Sequence, residues 1–108
     1  MTPRQIAKVD RNQPAIVEEL RGAGASVQLL HTVGQGCPDI LIGWRGVNLL
    51  VEIKSDVGKL TDDERRFFDE WRGQVTIVRT VEDARRLLED TGDETSHGNW
   101  GERYGGDE

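Results

Sequence analysis

Apolar residues along the chain recur with two different spacings, and the change between these spacings predicts the order of helices and strands. Within residues 12–24, Ile16, Val17, Leu20 and Ala23 follow the three- and four-residue spacing of a helix with one buried face. Asn12 is a residue type that caps helices, and Pro14 fits a first helical turn. Gly22 and Gly24 are expected to end the helix.

Short apolar runs after this helix predict three strands. The first covers residues 26–31, and the glycine-rich loop TVGQGC at 32–37 follows it. The other two contain the runs 40–42 and 49–53, which are joined across Arg45-Gly46. If the chain turns at this dipeptide, an antiparallel hairpin brings only apolar residues opposite one another: Ile42 with Leu49, Leu41 with Leu50, and Ile40 with Val51.

The second half of the chain predicts two helices with a strand between them. Residues 60–73 start with Thr61 and Glu64, the spacing of a capping box. A strand at 74–80 and a helix at 81–90, capped by Thr80, complete the pattern. The buried face of the middle helix is predicted from its aromatic residues: Phe67, Phe68 and Trp71.

The order α-β-β-β-α-β-α predicts an α/β fold of the α+β type, with helices packed on a four-stranded mixed sheet. Residues 55–73, which join the third and fourth strands, are too many for a hairpin and enough for a right-handed parallel crossover. We expect an N-terminal arm at 1–10, one domain at 11–90, and a flexible, glycine-rich acidic tail at 91–108.

Composition narrows the class of protein. The chain has 108 residues, of which 31% are charged and 35% hydrophobic, as in one small soluble domain. Cys37 is the single cysteine, which excludes an internal disulfide and a cysteine metal cluster. No apolar run is long enough for a membrane span, and the first ten residues lack the apolar core of a signal peptide. We therefore expect a cytoplasmic protein with no membrane partner.

The net charge of −6 is unevenly distributed along the chain. Residues 82–108 hold nine acidic residues and three arginines, whereas residues 1–81 hold eleven of each sign. The acidity therefore belongs mostly to the C-terminal part, and the body of the protein is compatible with an anionic partner such as DNA.

The hairpin register also places two carboxylates opposite each other. It pairs Asp39 with Glu52, and Lys54 lies on the same face, two residues further along. Facing carboxylates repel unless one has a raised pKa or a divalent cation binds both. A lysine beside such a cation can orient an attacking water or stabilise charge on a phosphate. The alternative is a strand end that carries an ordinary Glu–Lys salt bridge.

These residues also carry a resemblance. PD at 38–39, a hairpin, and EIK at 52–54 resemble the PD-(D/E)xK nuclease signature. The segments NQPAIVEELRGAGASV, GQGCPDILIG, LLVEIKS and LTDDERRFFDEWRG are similar to small stand-alone VRR-NUC domains, many of them phage-encoded, over about residues 10–89. The resemblance implies a restriction-endonuclease-like αβββαβ core, like that of Holliday junction resolvases. For a phage-encoded chain it also implies action in the host cytoplasm.

The resemblance implies specific roles for residues of this chain. Asp39 and Glu52 would bind Mg²⁺ or Mn²⁺ together with the backbone carbonyl of Ile53, and Lys54 would be the catalytic lysine. Gln13 stands where many members of this fold have an acidic metal ligand on the first helix. Its amide oxygen can coordinate a metal or hold a water, but it supplies no charge.

Further residues are candidates for DNA contact. The glycine-rich loop is either a plain turn or a loop whose backbone N–H groups approach a phosphate. Basic residues after the strand that carries EIK either bind phosphates or form a solvated helix face. The candidate DNA-binding residues are Gly34, Gln35, Gly36, Lys59, Arg65 and Arg66.

Other polar and aromatic residues have simpler explanations. The capping box accounts for Glu64, for which a role in the site is the alternative, and Cys37 has no partner that indicates a thiol nucleophile. His31 either contacts DNA or assists the site, or it has structural partners only. Trp44, at the hairpin tip, is either a dimer contact or a partly exposed surface aromatic.

The function predicted from the sequence is therefore hydrolysis of phosphodiester bonds by a metal-dependent DNA endonuclease, selective for branched DNA such as Holliday junctions. A homodimer is expected, because two symmetric sites suit the two strands of a junction, and no small-molecule substrate is expected. One alternative is a catalytically weak or inactive nuclease-fold module that binds DNA with a partner. Another is an acidic-tailed interaction protein that does not bind nucleic acid.

Overall fold

The computed structural model describes residues 11–91, and the elements it contains follow the predicted order α-β-β-β-α-β-α. The predicted arm at 1–10 and the tail from residue 92 lie outside the described residues. The elements are α1 (Gln13–Gly22), β1 (Ser26–Leu29), β2 (Ile40–Trp44), β3 (Val47–Ile53), α2 (Asp62–Glu70), β4 (Val75–Val78) and α3 (Val81–Thr91).

The four strands form one mixed sheet in the order β1-β2-β3-β4. β1 pairs with β2 and β2 with β3 in antiparallel fashion, whereas β3 and β4 are parallel. α2 lies within the crossover between the two parallel strands, as the length of that connection predicts. The α+β class and the mixed sheet are therefore confirmed.

The β2–β3 hairpin has the predicted register. Arg45 and Gly46 both have positive φ, 51° and 84°, which is the backbone of the two-residue turns that match the twist of antiparallel strands. Ile42 faces Leu49 and Ile40 faces Val51. This register fixes which side chains of the two strands share a face of the sheet.

One face of the sheet packs against α1 and α3. The cluster contains residues from both helices and alternate residues of β2 and β3: Ile16, Val17, Leu20, Ile40, Ile42, Leu49, Val51, Ile53, Ala84 and Leu88. Ile53 points into this core and is 1% exposed. Because side chains alternate along a strand, Glu52 points to the opposite face, away from α1 and α3.

The predicted cap of α1 is wrong in one respect. Asn12 has helical φ and ψ angles of −81° and −5°, and its side chain makes no capping hydrogen bond. Its amide instead donates to the backbone carbonyls of Lys54 and Arg79. A tertiary partner has therefore replaced the local one. Pro14 lies in the first turn and the helix ends at Gly22, as predicted.

The predicted buried face of α2 is also wrong. The capping box of Thr61 and Glu64 is present, but α2 has no buried residue. Phe67 and Trp71 stack on each other with ring centroids 5.0 Å apart, and Trp71 is 46% exposed. The apolar face of the sheet is already covered by α1 and α3, so a short, highly charged helix finds no core position there.

The last helix begins as predicted, because the Asp83 N–H donates to the Thr80 hydroxyl at 3.0 Å. No helix within residues 11–91 is both long enough and apolar enough to cross a membrane.

Candidate active site

The end of the β2–β3 hairpin brings the two predicted carboxylates together. Ile40 and Val51 are the last paired residues, so Asp39 and Glu52 occupy the next position along the ladder. The Ile53 N–H donates to Asp39 Oδ2 at 2.7 Å, and the Leu30 N–H donates to the Asp39 carbonyl at 2.8 Å. The Asp39 carboxylate is thereby fixed against β3 by a hydrogen bond from the backbone.

Glu52 is a buried acid in a negative environment. It is 3% exposed, and Lys54 Nζ lies 3.5 Å from its Oε2. Burial raises the pKa of Glu52, and the carboxylates of Asp39 and Glu64 raise it further, to about 9, although Lys54 acts in the opposite direction. Without a cation, Glu52 is therefore protonated at neutral pH and donates a hydrogen bond to Glu64.

Lys54 is held more closely by Glu64 than by Glu52. Its Nζ lies 2.7 Å from Glu64 Oε1, and both side chains are largely shielded from solvent. Burial acts to raise the pKa of Glu64. The hydrogen bonds from Lys54 and from the Thr61 backbone outweigh that effect, so the pKa of Glu64 lies below its usual range. The charged pair at the site is therefore Glu64 and Lys54.

Cys37 borders the same cluster. Burial raises the pKa of its thiol, and the negative charges of Glu52 and Asp39 raise it further. The thiol is therefore protonated at neutral pH, and a protonated thiol is a poor nucleophile.

Two long-range contacts fix the end of β3 that carries Lys54. The Asn12 amide donates to the Lys54 carbonyl at 3.1 Å and to the Arg79 carbonyl at 2.8 Å. The Arg79 guanidinium donates to the carbonyls of Ser55 and Gly58, at 2.5 and 2.8 Å. The start of α1, the end of β3 and the loop that follows are therefore tied to the end of β4.

The neutral oxygens expected to complete a metal site have suitable chemistry. Gln13 is 5% exposed, and its Oε1 is buried without a hydrogen-bond partner. It directly follows Asn12, which places the start of α1 beside the end of β3. Leu50 and Lys54 donate their N–H groups to the β4 side, so the backbone of Ile53 faces the Asp39 side. The Ile53 carbonyl can thus add a hard oxygen donor to those of the carboxylates, and Gln13 Oε1 is a second neutral oxygen at the neighbouring start of α1.

The carboxylates alone do not complete such a site. Among residues 11–91, no group of three or more histidine, cysteine, aspartate or glutamate side chains is arranged to hold a metal ion. A cation here would therefore depend on the neutral oxygens of Gln13 and Ile53 as well as on Asp39 and Glu52. Two carboxylates with neutral oxygens and water match the preference of Mg²⁺ for few charged ligands.

The glycine-rich loop contacts the start of α2. Gly34, Gln35 and Gly36 all have positive φ, at 81°, 58° and 80°. A Cβ on Gly36 would lie 2.4 Å from the Asp63 carbonyl oxygen, whereas Gly34 has open space around it. The need for glycine at position 36 is therefore explained by packing, while Gly34 and Gln35 are exposed.

The predicted basic residues are exposed around α2. Lys59, Arg65 and Arg66 all lie at the surface, and Arg66 pairs with Asp63 one turn away at 3.3 Å. Exposed pairs of this kind are weak, so Arg66 remains available to a phosphate.

His31 and Trp44, for which the sequence leaves more than one role open, lie away from this cluster. His31 is exposed just after β1. Trp44 is half-buried, its indole N–H donates to the Leu88 carbonyl at 3.0 Å, and the Arg45 guanidinium lies 5.0 Å from its ring centroid. Trp44 therefore joins the hairpin to α3.

Three residues of this cluster were not expected there from the sequence. The sequence explains Glu64 by the capping box, and in the structure Glu64 serves both that box and Lys54. The sequence predicts only a helix cap for Asn12 and no role for Arg79. The sequence signal that could have placed Glu64 near Lys54 is the short connection between EIK and the capping box. Nothing in the local sequence indicates the contacts of Asn12 and Arg79, which span 42 residues or more and 21–24 residues, respectively.

Comparisons of the chain with protein-family models, with curated proteins and with solved structures found no match.

Proposed function

We propose that the protein is a divalent-metal-dependent endonuclease that hydrolyses phosphodiester bonds of DNA. The observation that carries this proposal is the convergence of Asp39, Glu52 and Lys54 at the end of the β2–β3 hairpin, on the face opposite the α1–α3 core. A buried acid opposite a second acid is costly in a purely structural role. The resemblance to the PD-(D/E)xK signature supplies the reaction class that suits this set of residues.

The residues present fit a small hard cation. Bound by Asp39, Glu52, the Ile53 carbonyl and Gln13 Oε1, Mg²⁺ or Mn²⁺ would supply charge that polarises a phosphate and lowers the pKa of water. For this purpose Glu52 must give up its proton. Its neighbour Lys54 favours that ionisation, and the Ile53 N–H keeps Asp39 oriented toward the same point.

Lys54 is proposed as the catalytic residue that contacts the reacting groups. Its ammonium has three donors and is shielded enough to act in a medium less polarisable than water. It can hold the attacking water in line and can stabilise the negative charge that builds up on the phosphate. Glu64 and Glu52 hold the ammonium at the end of β3.

DNA would be held through its phosphates near the start of α2. Lys59, Arg65 and Arg66 are exposed there, beside the loop of Gly34, Gln35 and Gly36. Such contacts position a duplex and carry no sequence information. Selectivity is therefore expected for the shape of the DNA, with branched DNA favoured by the resemblance to junction resolvases.

A homodimer is proposed for the active species. One chain of 108 residues is too small to encircle a duplex, and two sites related by a two-fold axis suit the two strands cut at a junction.

The test is cleavage of a labelled four-way junction and a matched linear duplex in Mg²⁺, Mn²⁺ or EDTA. We expect cutting that requires metal, favours the junction, and falls at least about a hundredfold in Lys54→Met, which keeps the unbranched stem but loses the charge. Arg86→Ala, which changes an exposed residue of α3, is the matched control and should cut at the wild-type rate.

Metal-dependent cutting that survives Lys54→Met unchanged would refute the assignment of Lys54. Absence of cutting in both metals, with junction binding retained, would favour the second candidate function, a nuclease-fold module that binds DNA with a partner. The specific observation behind that candidate is Gln13, which places a neutral group where the resemblance expects an acid.

A further inference from the structure

The catalytic lysine is held by a helix that lacks a core anchor. No residue of α2 is fully buried, and Phe67 and Phe68 are only half-buried, so α2 has no anchor in the core formed with α1 and α3. Its first turn nevertheless supplies Glu64, whose Oε1 lies 2.7 Å from Lys54 Nζ. Glu52, a second acid beside Lys54, lies 3.5 Å away, outside the range of a short hydrogen bond. The direction of the Lys54 ammonium therefore depends on where the start of α2 lies.

The capping box fixes Glu64 within this turn. Glu64 Oε1 accepts the Thr61 N–H at 2.9 Å, and the Glu64 N–H donates to the Thr61 hydroxyl at 3.2 Å. The same carboxylate oxygen therefore accepts both from the backbone of the cap and from Lys54. A long lysine side chain with many rotamers is restrained by a partner that is itself restrained.

The glycine-rich loop fixes the turn against the rest of the protein. The backbone at Gly36 approaches the Asp63 carbonyl so closely that a Cβ there would lie 2.4 Å from the oxygen and 2.6 Å from its carbon. Both of these atoms belong to the backbone, so neither can move aside without moving the helix. Gly36 thus permits a contact that holds the first turn of α2 beside the PD end of β2.

We propose that Glu64 is a positioning residue for Lys54, held in place by the Thr61 capping box and by the close approach of Gly36 to Asp63. The inference rests on the proposed function in so far as Lys54 acts in catalysis. The contact itself is independent of that function, and it can be tested without DNA or metal.

The first readout is the ¹H–¹⁵N signal of the Lys54 ammonium in the metal-free protein. An ammonium in a close ion pair exchanges its protons with water slowly enough for its signal to be observed. An exposed ammonium exchanges its protons too fast. The chain has only three lysines, Lys8, Lys54 and Lys59, so loss of the signal in Lys54→Arg assigns it. We expect the signal in the wild type and its loss in Glu64→Gln, which keeps the shape of the side chain and its capping oxygen. The control, Asp63→Asn, changes the adjacent exposed acid and should leave the signal in place.

A pair of glycine variants tests the contact between the glycine-rich loop and α2 separately from the charge of Glu64. Gly36→Ala and Gly34→Ala impose the same strain, because their φ angles are 80° and 81°, but only the first adds a Cβ that meets α2. We expect Gly36→Ala to lose the Lys54 signal and Gly34→Ala to keep it. Circular dichroism of each variant shows that the fold is retained.

The second readout is single-turnover cleavage in Mg²⁺, compared with the Kd for DNA. Glu64→Gln should slow cleavage about tenfold or more while changing Kd less than about twofold, because a misplaced catalytic group affects the reaction step. Glu64→Asp, which keeps the charge on a shorter stem, should recover part of the rate.

The two readouts separate failure of the inference from failure of the proposed function. A Lys54 signal that is absent in the wild type, or that persists in both Glu64→Gln and Gly36→Ala, overturns the positioning role. A wild type that cuts no DNA overturns the proposed function, while the ammonium signals still decide whether Glu64 holds Lys54.

Discussion

At the residue scale, Glu52 is the most unusual group in the protein. A carboxyl group that is 3% exposed, beside two other acids, is maintained against its own preference for water. A cation that binds the Glu52 carboxylate must displace its proton. The protonation of Glu52 and the binding of metal are therefore linked. The consequence can be measured as a dependence of stability on pH.

We predict that the metal-free protein loses stability as the pH rises from about 6 to 9. The pKa of Glu52 is raised from 4.5 to about 9 in the folded state, so the folded state binds the proton more tightly than the unfolded chain throughout this window. The free energy of unfolding must therefore fall with pH there. The lowered pKa of Glu64 acts in the opposite direction, but only at pH values near and below 4.5.

Urea unfolding in EDTA at several pH values measures this effect. Glu52→Gln keeps the shape without the ionisation, so it should flatten the dependence and exceed the wild type by about 1 kcal/mol or more at pH 8. Equal slopes for the two proteins between pH 6 and 9 would show that Glu52 does not carry the buried proton.

At the scale of elements, the polar contacts at the strand ends join parts of the chain that the core does not connect. Asn12 links α1 to the ends of β3 and β4 through two backbone carbonyls. These carbonyls lie just beyond the last paired residues of the two strands, Ile53 and Val78. The position of Lys54 therefore depends on α1 as well as on the sheet.

We predict that Asn12→Ala lowers the free energy of unfolding by about 1–3 kcal/mol, because it leaves two partly buried carbonyls without their donor. Asn48→Ala is the matched control, since Asn48 is exposed on β3 and should change stability by less than about 0.5 kcal/mol. Chemical denaturation of both variants measures these free energies of unfolding. Similar losses of stability for the two would show that Asn12 does not stabilise the protein through these carbonyls.

The aromatic face of α2 leads to a different expectation at the same scale. Trp71→Ala should lower the free energy of unfolding by less than about 1 kcal/mol, because Trp71 is 46% exposed and stacks on the half-buried Phe67. Leu88→Ala in α3, where the side chain is 5% exposed in the core, should cost about 2–5 kcal/mol. Thermal or urea unfolding measures the loss of stability in each variant. An equal loss for Trp71→Ala and Leu88→Ala would mean that α2 is anchored by its aromatic face.

At the scale of the whole molecule, charge is separated along the chain. Residues 92–108 carry five acidic residues and one arginine, whereas the basic residues proposed to contact DNA lie around α2. Like charges repel over roughly the Debye length, about 10 Å at 0.1 M salt. We therefore expect the acidic segment to oppose the proposed binding of DNA in a manner that depends on ionic strength.

We predict that a chain ending at Thr91 binds a four-way junction more tightly than the full chain at low salt, by about threefold to tenfold. The difference should shrink as salt is raised from 50 to about 300 mM, because screening removes a charge effect. Titrations by fluorescence anisotropy at both salt concentrations test this. Weaker binding by the shortened chain would instead assign the acidic segment a direct role in recognition.

Much of the fold was predictable because local patterns and the hairpin register agree. The apolar pairs across Arg45-Gly46 leave only one register that keeps Ile40 and Ile42 in the core, and that register brings Asp39 opposite Glu52. The capping box at Thr61 and the long crossover are likewise local features. The element order, the mixed sheet and the placement of the central carboxylates follow from the sequence by itself.

Tertiary structure decided what surrounds these carboxylates. Whether Glu52 is buried, whether Glu64 reaches Lys54, and whether Asn12 caps its own helix all depend on partners distant in sequence. The same holds for α2, whose aromatic residues have helical spacing but find the apolar face of the sheet already covered. Periodicity specifies which face of an element is apolar. Competition among elements for one small core specifies which of those faces is buried.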